Sequence, residues 1–174
     1  MKMKKHILVL TMAILAIAMP AVAQTIFEVP NVEFRSKDDY SYYEKDIIKA
    51  AKWLEENDLD FQVKKREQVN AFVLKWLAGS SSVSINYTDK LAKVTDRNPL
   101  LGSLLLAVFA RTILENKTSV TYFNAIKAGL QAVVRVYKKG INVKKEKELD
   151  KLAAFTDDTQ LEDYIRNTLK IPKL

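Results

Sequence analysis

From Pro99 to about Glu115 the chain carries Leu100, Leu101, Leu104, Leu105, Leu106, Val108, Phe109, Ile113 and Leu114, a set that covers nearly every face of a helix. A helix that is apolar all round has to be enclosed, by other helices or by lipid. Spanning a bilayer takes about 20 predominantly apolar residues, and this run is shorter and interrupted by Arg111. The segment is therefore expected at the centre of a helical core, with Asn98 as its cap and Pro99 in its first turn.

Helices able to enclose it are legible on both sides. Ser36 and Asp39 resemble a capping box, after which Tyr40, Tyr43, Ile47, Ala50, Ala51 and Leu54 recur at helical spacing. Lys45, Lys49, Lys52, Glu55 and Glu56 occupy the opposite, solvated side. A second helix is expected from near Lys64, carrying Val69, Phe72, Val73, Trp76 and Leu77 and stopping at Gly79. Thr88 caps a short helix through Leu91 and Val94, and a long one follows from about Ser119 to Lys138, with Gly129 permitting a close crossing and Gly140 just past its end. Two short helices, about Lys144 to Phe155 and Thr159 to Leu169, precede Pro172, which is expected to end the order. Val83, Ile85 and Tyr87 alternate as a short extended piece suited to lie beside an N-terminal arm that contains Pro30. The class is all-α, a single compact domain of about five to seven helices over residues 37–174, preceded by an extended arm over residues 24–36.

Residues 1–23 read as a cleavable signal peptide. Lys2, Lys4 and Lys5 precede the apolar run Ile7 to Met19, Pro20 breaks it, and Ala21 and Ala23 supply the small residues of a cleavage site before Gln24. Three of the 28 basic residues and none of the 21 acidic ones fall in this segment, which leaves the remainder at +4, only mildly basic. The expected localisation is secreted or periplasmic, with no nucleic-acid partner and no stable membrane insertion after cleavage.

Composition then restricts the chemistry. There is no cysteine, and the single histidine, His6, lies in the signal segment. Disulfides, Cys/His zinc sites, Ser-His-Asp triads and cysteine nucleophiles are excluded from the mature chain, and no cofactor is expected. Carboxylates, Lys, Ser, Thr and Tyr remain. The leading expectation is a non-catalytic secreted or periplasmic helical protein that binds a partner protein or an envelope component. The alternative is a carboxylate-dependent envelope hydrolase, since two carboxylates suffice for that chemistry.

The segment Val69-Asn70-Ala71-Phe72-Val73-Leu74-Lys75-Trp76-Leu77-Ala78-Gly79 resembles one found in small exported all-helical proteins of Gram-negative bacteria, whose function is uncharacterised. The resemblance extends to Asn98-Pro99-Leu100-Leu101, Leu114-Glu115-Asn116-Lys117, Lys147-Glu148-Leu149-Asp150-Lys151-Leu152 and Leu161-Glu162-Asp163-Tyr164. These are helix faces and helix ends, so the resemblance implies a shared fold and assigns no residue a role.

Three residues are candidates for ligand binding. Arg111, with Ser103 and Ala107 at intervals of four, makes a polar, small-residue strip along the most apolar helix, and its guanidinium suits a carboxylate or phosphate. Against that stands an internal ion pair, with Glu44, Asp46 or Glu115 as the supplier. Tyr42 points away from the core stripe that holds Tyr40 and Tyr43, leaving its ring free to stack on a ligand. Lys144, Lys145, Lys147 and Lys151 interleave with Glu146, Glu148 and Asp150 at helical spacings, which predicts a self-paired face. Asp157 and Asp158 read as helix caps.

Overall fold

The computed structural model describes residues 26–173, so the expected signal segment, residues 1–23, lies outside the described residues. Within them the chain is all-α. Its helices are α1 (Lys37–Tyr42), α2 (Glu44–Glu56), α3 (Val63–Gly79), α4 (Asp89–Ala92), α5 (Pro99–Asn116), α6 (Tyr122–Lys139), α7 (Lys147–Ala153) and α8 (Asp158–Asn167), with 3₁₀ turns at Lys93–Thr95 and Lys117–Ser119.

α5 is the apolar segment that the sequence places at the centre. Taken through the following turn to Ser119 it is, against the expectation, long and apolar enough to cross a bilayer by length and composition alone, but α2, α3 and α6 pack around it. Leu101, Leu105, Val108 and Phe109 of α5 lie in one core with Ile47 and Leu54 of α2, Trp76 of α3 and Ile126, Leu130 and Val133 of α6. The α5–α6 crossing is the most extensive, and Gly129 makes it close. A Cβ at Gly129 would stand 3.0 Å from the backbone oxygen of Leu105 and 3.2 Å from its Cγ. The described residues form one core.

The periodicity reads α1 and α2 as one helix, whereas the structure puts a joint at Tyr43. Ser36 and Asp39 form the expected capping box, with the Asp39 carboxylate accepting from the backbone N–H groups of Arg35 and Ser36 at 2.8 Å each. Ending α1 early leaves its last carbonyls without helical partners. One of them, Tyr40, accepts the indole N–H of the fully buried Trp76 at 2.8 Å. Tyr40 also crosses the end of α3, where a Cβ on Gly79 would overlap its hydroxyl.

The described part of the N-terminal arm, residues 26–35, is free of helix as expected, but it does not pair with Val83–Tyr87, and there is no strand among the described residues. Side-chain burial on helix faces holds each piece separately. Phe27 is buried beside Phe72, and Phe34 stacks on Tyr40 with ring centres 4.8 Å apart. In the other piece Val83 is buried, with the Ser82 hydroxyl donating to Glu44 at 2.5 Å and the Tyr122 hydroxyl donating to the Asn86 carbonyl at 3.0 Å. At the other terminus the order runs past Pro172. Lys170 takes a left-handed conformation (φ 61°), Ile171 is buried and donates to the Ile165 carbonyl at 3.1 Å, and Lys173 reaches Glu162 at 2.6 Å.

Candidate functional site

The Arg111 guanidinium is engaged within the chain. Its Nη1 donates to Glu55 Oε2 at 2.6 Å, and its Nε lies 3.7 Å from Glu115 Oε2, buried and without a hydrogen bond. Arg135 binds the other Glu55 oxygen, and Lys52 meets Glu115 at 2.9 Å. Charges of alternating sign therefore run Lys52, Glu115, Arg111, Glu55, Arg135, tying α2 to α5 and α6. Burial pushes the Glu55 carboxyl upward, but hydrogen bonds from Arg135 and Arg111 outweigh it and hold its pKa below the usual glutamate value. Glu115 is a partner as expected, while the closer one, Glu55, is not among the suppliers the sequence suggests, and neither Glu44 nor Asp46 takes part. Ser103 is half-buried two turns before Arg111, and Ala107 between them is fully buried, so the strip is packed rather than open.

Tyr42 is 76 % exposed, with its ring edge-on to Tyr43 at 4.9 Å. It borders an open hollow of about 400 Å³ with Ser41, Glu44, Lys45, Asp46 and Lys49 on the α1–α2 surface. Neither Ser103 nor Arg111 lines that hollow, so the three candidate residues do not form one site.

A cavity of about 290 Å³ lies between α6, α7 and the start of α8, with Val134, Leu152, Phe155 and Leu161 among its apolar lining and Arg135, Asp157 and Asp158 among its polar lining. Both acids are committed. Asp157 caps α8 by accepting from the Gln160 N–H at 3.0 Å, while Asp158 accepts from Gln131 at 3.0 Å and pairs with Lys127 at 2.9 Å. Lys127 also binds Glu162 at 2.8 Å, and hydrogen bonds from Lys127 and then Lys173 bring the Glu162 pKa from 4.5 to about 2. The hydrogen bond and charge of Lys127 likewise lower Asp158. Asp158 and Glu162 are held ionised, the opposite of what a proton-donating carboxyl group needs. Among the described residues, no group of three or more His, Cys, Asp or Glu side chains is placed to hold a metal.

The end of the bundle where the α2–α3 loop, the start of α5 and the α6–α7 loop meet is built differently. Leu59, Arg97, Asn98, Pro99, Val143 and Lys144 surround an open cavity of about 250 Å³. Asn98 is the α5 cap by position, yet its side chain does not cap the helix. Its amide instead clasps the neighbouring loop, donating to the Lys144 carbonyl at 2.9 Å and accepting from the Lys144 N–H at 2.7 Å. Arg97 adds a hydrogen bond from Nη1 to the Lys145 carbonyl at 2.9 Å, and Lys139 pairs with Asp58 at 2.7 Å.

Here the expected self-paired face is not formed. Glu146 accepts from the Arg97 N–H at 2.9 Å, Glu148 from the Tyr164 hydroxyl at 2.8 Å and Asp150 from the Tyr137 hydroxyl at 2.7 Å. Burial, reinforced by these acids, raises both tyrosine pKa values, so the phenols stay protonated as donors. Lys151 lies over the Tyr164 ring at 5.1 Å. Lys144, Lys145 and Lys147 remain exposed, with no ion pair among the described residues. Phe61, Val63 and Ile141, on the loops and helix start of the same end, are exposed apolar side chains.

Arg66, which no sequence pattern singles out, is only 1 % exposed. Its guanidinium donates to the carbonyls of Leu54 at 3.2 Å, Asn57 at 2.6 Å and Asp58 at 2.8 Å, and lies 5.4 Å from the Trp53 ring centre. It closes the C-terminal end of α2, where the last carbonyls lack helical partners. Burial lowers its pKa, with Asp58 and Asp60 acting in the opposite direction. The one signal for it is its position one turn before Val69 and two before Val73, on the buried stripe of α3. Compared with family models, curated proteins and solved structures, the chain has no match.

Proposed function

We propose that this chain is exported with removal of residues 1–23, and that the helical domain acts by binding a component of the cell envelope rather than by catalysis. The order of basic start, apolar run, proline and Ala21-Val22-Ala23 supports export. The binding reading rests on one observation: Lys144, Lys145 and Lys147 stand exposed beside Ile141 while the acids interleaved with them are turned to Tyr137, Tyr164 and Arg97. Those acids keep their charge, but none of them pairs with a lysine of the run, so the ammonium groups at this end are open to an anionic partner. The hydrolase alternative draws no comparable support. Asp157 and Asp158, which line the cavity beside α7, serve a helix cap and an ion pair.

Expression of the full chain in a Gram-negative host, with intact-mass measurement and fractionation, tests both parts. The expected product begins at Gln24, sediments with the envelope at low ionic strength and is released by high salt. A full-length mass in the cytoplasm would overturn export. A processed product that stays free of the envelope at every salt concentration would overturn envelope binding.

A further inference from the structure

From the chemistry of this end of the bundle we infer that its partner is an anionic phospholipid surface, with the bundle standing on its loop tips; this rests on the proposed envelope location. Three features decide the class of partner. The free cations are mostly lysines, namely Lys64, Lys144, Lys145 and Lys147, joined by Arg97. Lysine is a mobile point charge that suits a fluid array of phosphates, whereas fixed recognition of one carboxylate or phosphate favours the arginine fork. The one exposed arginine named here has its Nη1 committed to the Lys145 carbonyl.

The second feature is apolar. Ile141 precedes Asn142, whose left-handed backbone (φ 52°) turns the α6–α7 loop, and it lies on the same loop as Lys144 and Lys145. Phe61 and Val63 sit at the α2–α3 loop, whose Leu59 shares a cavity with Val143 and Lys144. Apolar side chains at loop tips, ringed by lysines, can enter the boundary between headgroups and acyl chains while the ammonium groups stay among the phosphates. Third, no acid pairs with these lysines: Asp58 is taken by Lys139, Glu146 is bonded to the Arg97 N–H while keeping its charge, and Asp60, Glu67 and Asp96 are exposed nearby without an ion pair among the described residues.

The test uses residues 24–174, the expected processed chain, which keep every described residue of the core, with sedimentation against phosphatidylglycerol vesicles and against phosphatidylcholine vesicles. Binding to the anionic vesicles only, falling as salt is raised, is the expected result. Each lysine near such a surface contributes about five-fold in affinity at moderate salt, so K144Q/K145Q should weaken binding by roughly 20- to 30-fold. Removing the same charge elsewhere, in K45Q/K75Q, should change it by less than about three-fold, because the helix rise sets Lys45 and Lys75 about 18 Å along α2 and α3 from the loop tips, beyond the Debye length of about 10 Å at 0.1 M salt. Ile141→Ser should weaken the binding that persists at high salt. All these residues are exposed, so thermal melts should match the parent. Equal binding to both vesicle types, no binding at low salt, or equal losses in K144Q/K145Q and K45Q/K75Q would overturn the inference. So would retention on an acidic polymer such as heparin without binding to vesicles, which would transfer the site to a polyanion. None of these failures would alter the processed mass or the fractionation pattern, which test the envelope location independently.

Discussion

Arg66 holds the junction between α2 and α3, and its cost and benefit can both be stated. Burying a guanidinium is expensive, but three carbonyl oxygens and the face of Trp53 receive it. Arg66→Ala would strand those carbonyls in a buried site, and a loss of about 3 to 5 kcal/mol is expected in urea denaturation. Arg66→Lys should fall between the two, since one ammonium group cannot reproduce the fork. A loss below about 1 kcal/mol for the alanine variant would mean that water replaces the guanidinium and that the junction is open to solvent. The same scale shows what residue patterns convey. Trp76 is legible as core because Val69, Phe72 and Val73 share its side of the helix, and it is fully buried. Arg66 shares that helix, but charge conventionally marks the solvated side, and only the position of the α2 carbonyls explains why it is inside. For Arg111 an internal pair is legible, while the choice of Glu55 depends on how α2 lies across α5, which local spacing does not carry.

At the scale of elements, α5 and α6 meet where Gly129 gives up its side chain to the Leu105 backbone. Gly129→Ala gains about 1 kcal/mol in helix propensity but must displace backbone rather than a flexible side-chain end. The expected outcome is a net loss of about 1 to 2 kcal/mol in a denaturant melt, and a gain would show that the crossing has slack. The anchoring of α8 and the tail gives a pH signature. The folded pKa of Glu162, about 2, lies below its ordinary 4.5, so its stabilising effect is complete above about 4.5 and is lost as pH falls toward 2. Glu162→Gln should flatten the acid limb of the stability profile across that interval, as followed by circular dichroism. An acid limb identical to the parent would show that the Lys127 and Lys173 contacts do not persist in solution. Element type follows well from the sequence. The joint at Tyr43 does not, because the indole N–H that draws on the Tyr40 carbonyl comes from α3, 36 residues away.

Over the whole molecule, the architecture follows from one helix apolar on all sides and the amphipathic helices that enclose it, a pattern readable from the residues alone. The distribution of free charge is not readable in that way. Spacing places Glu146, Glu148 and Asp150 within reach of the lysines, but folding offers those acids Tyr137, Tyr164 and the Arg97 N–H, partners that are distant or silent in a charge pattern. That exchange leaves unpaired lysines beside exposed apolar side chains at one end of the bundle, and the binding proposal depends on it. Hydrogen exchange on residues 24–174, with and without envelope vesicles prepared from the producing cell, locates the contact without assuming its chemistry. Added protection confined to residues 58–64, 96–100 and 140–147 is the predicted result. Protection centred instead on the cavity lined by Gln131, Phe155 and Leu161, or no added protection anywhere, would contradict the binding proposal.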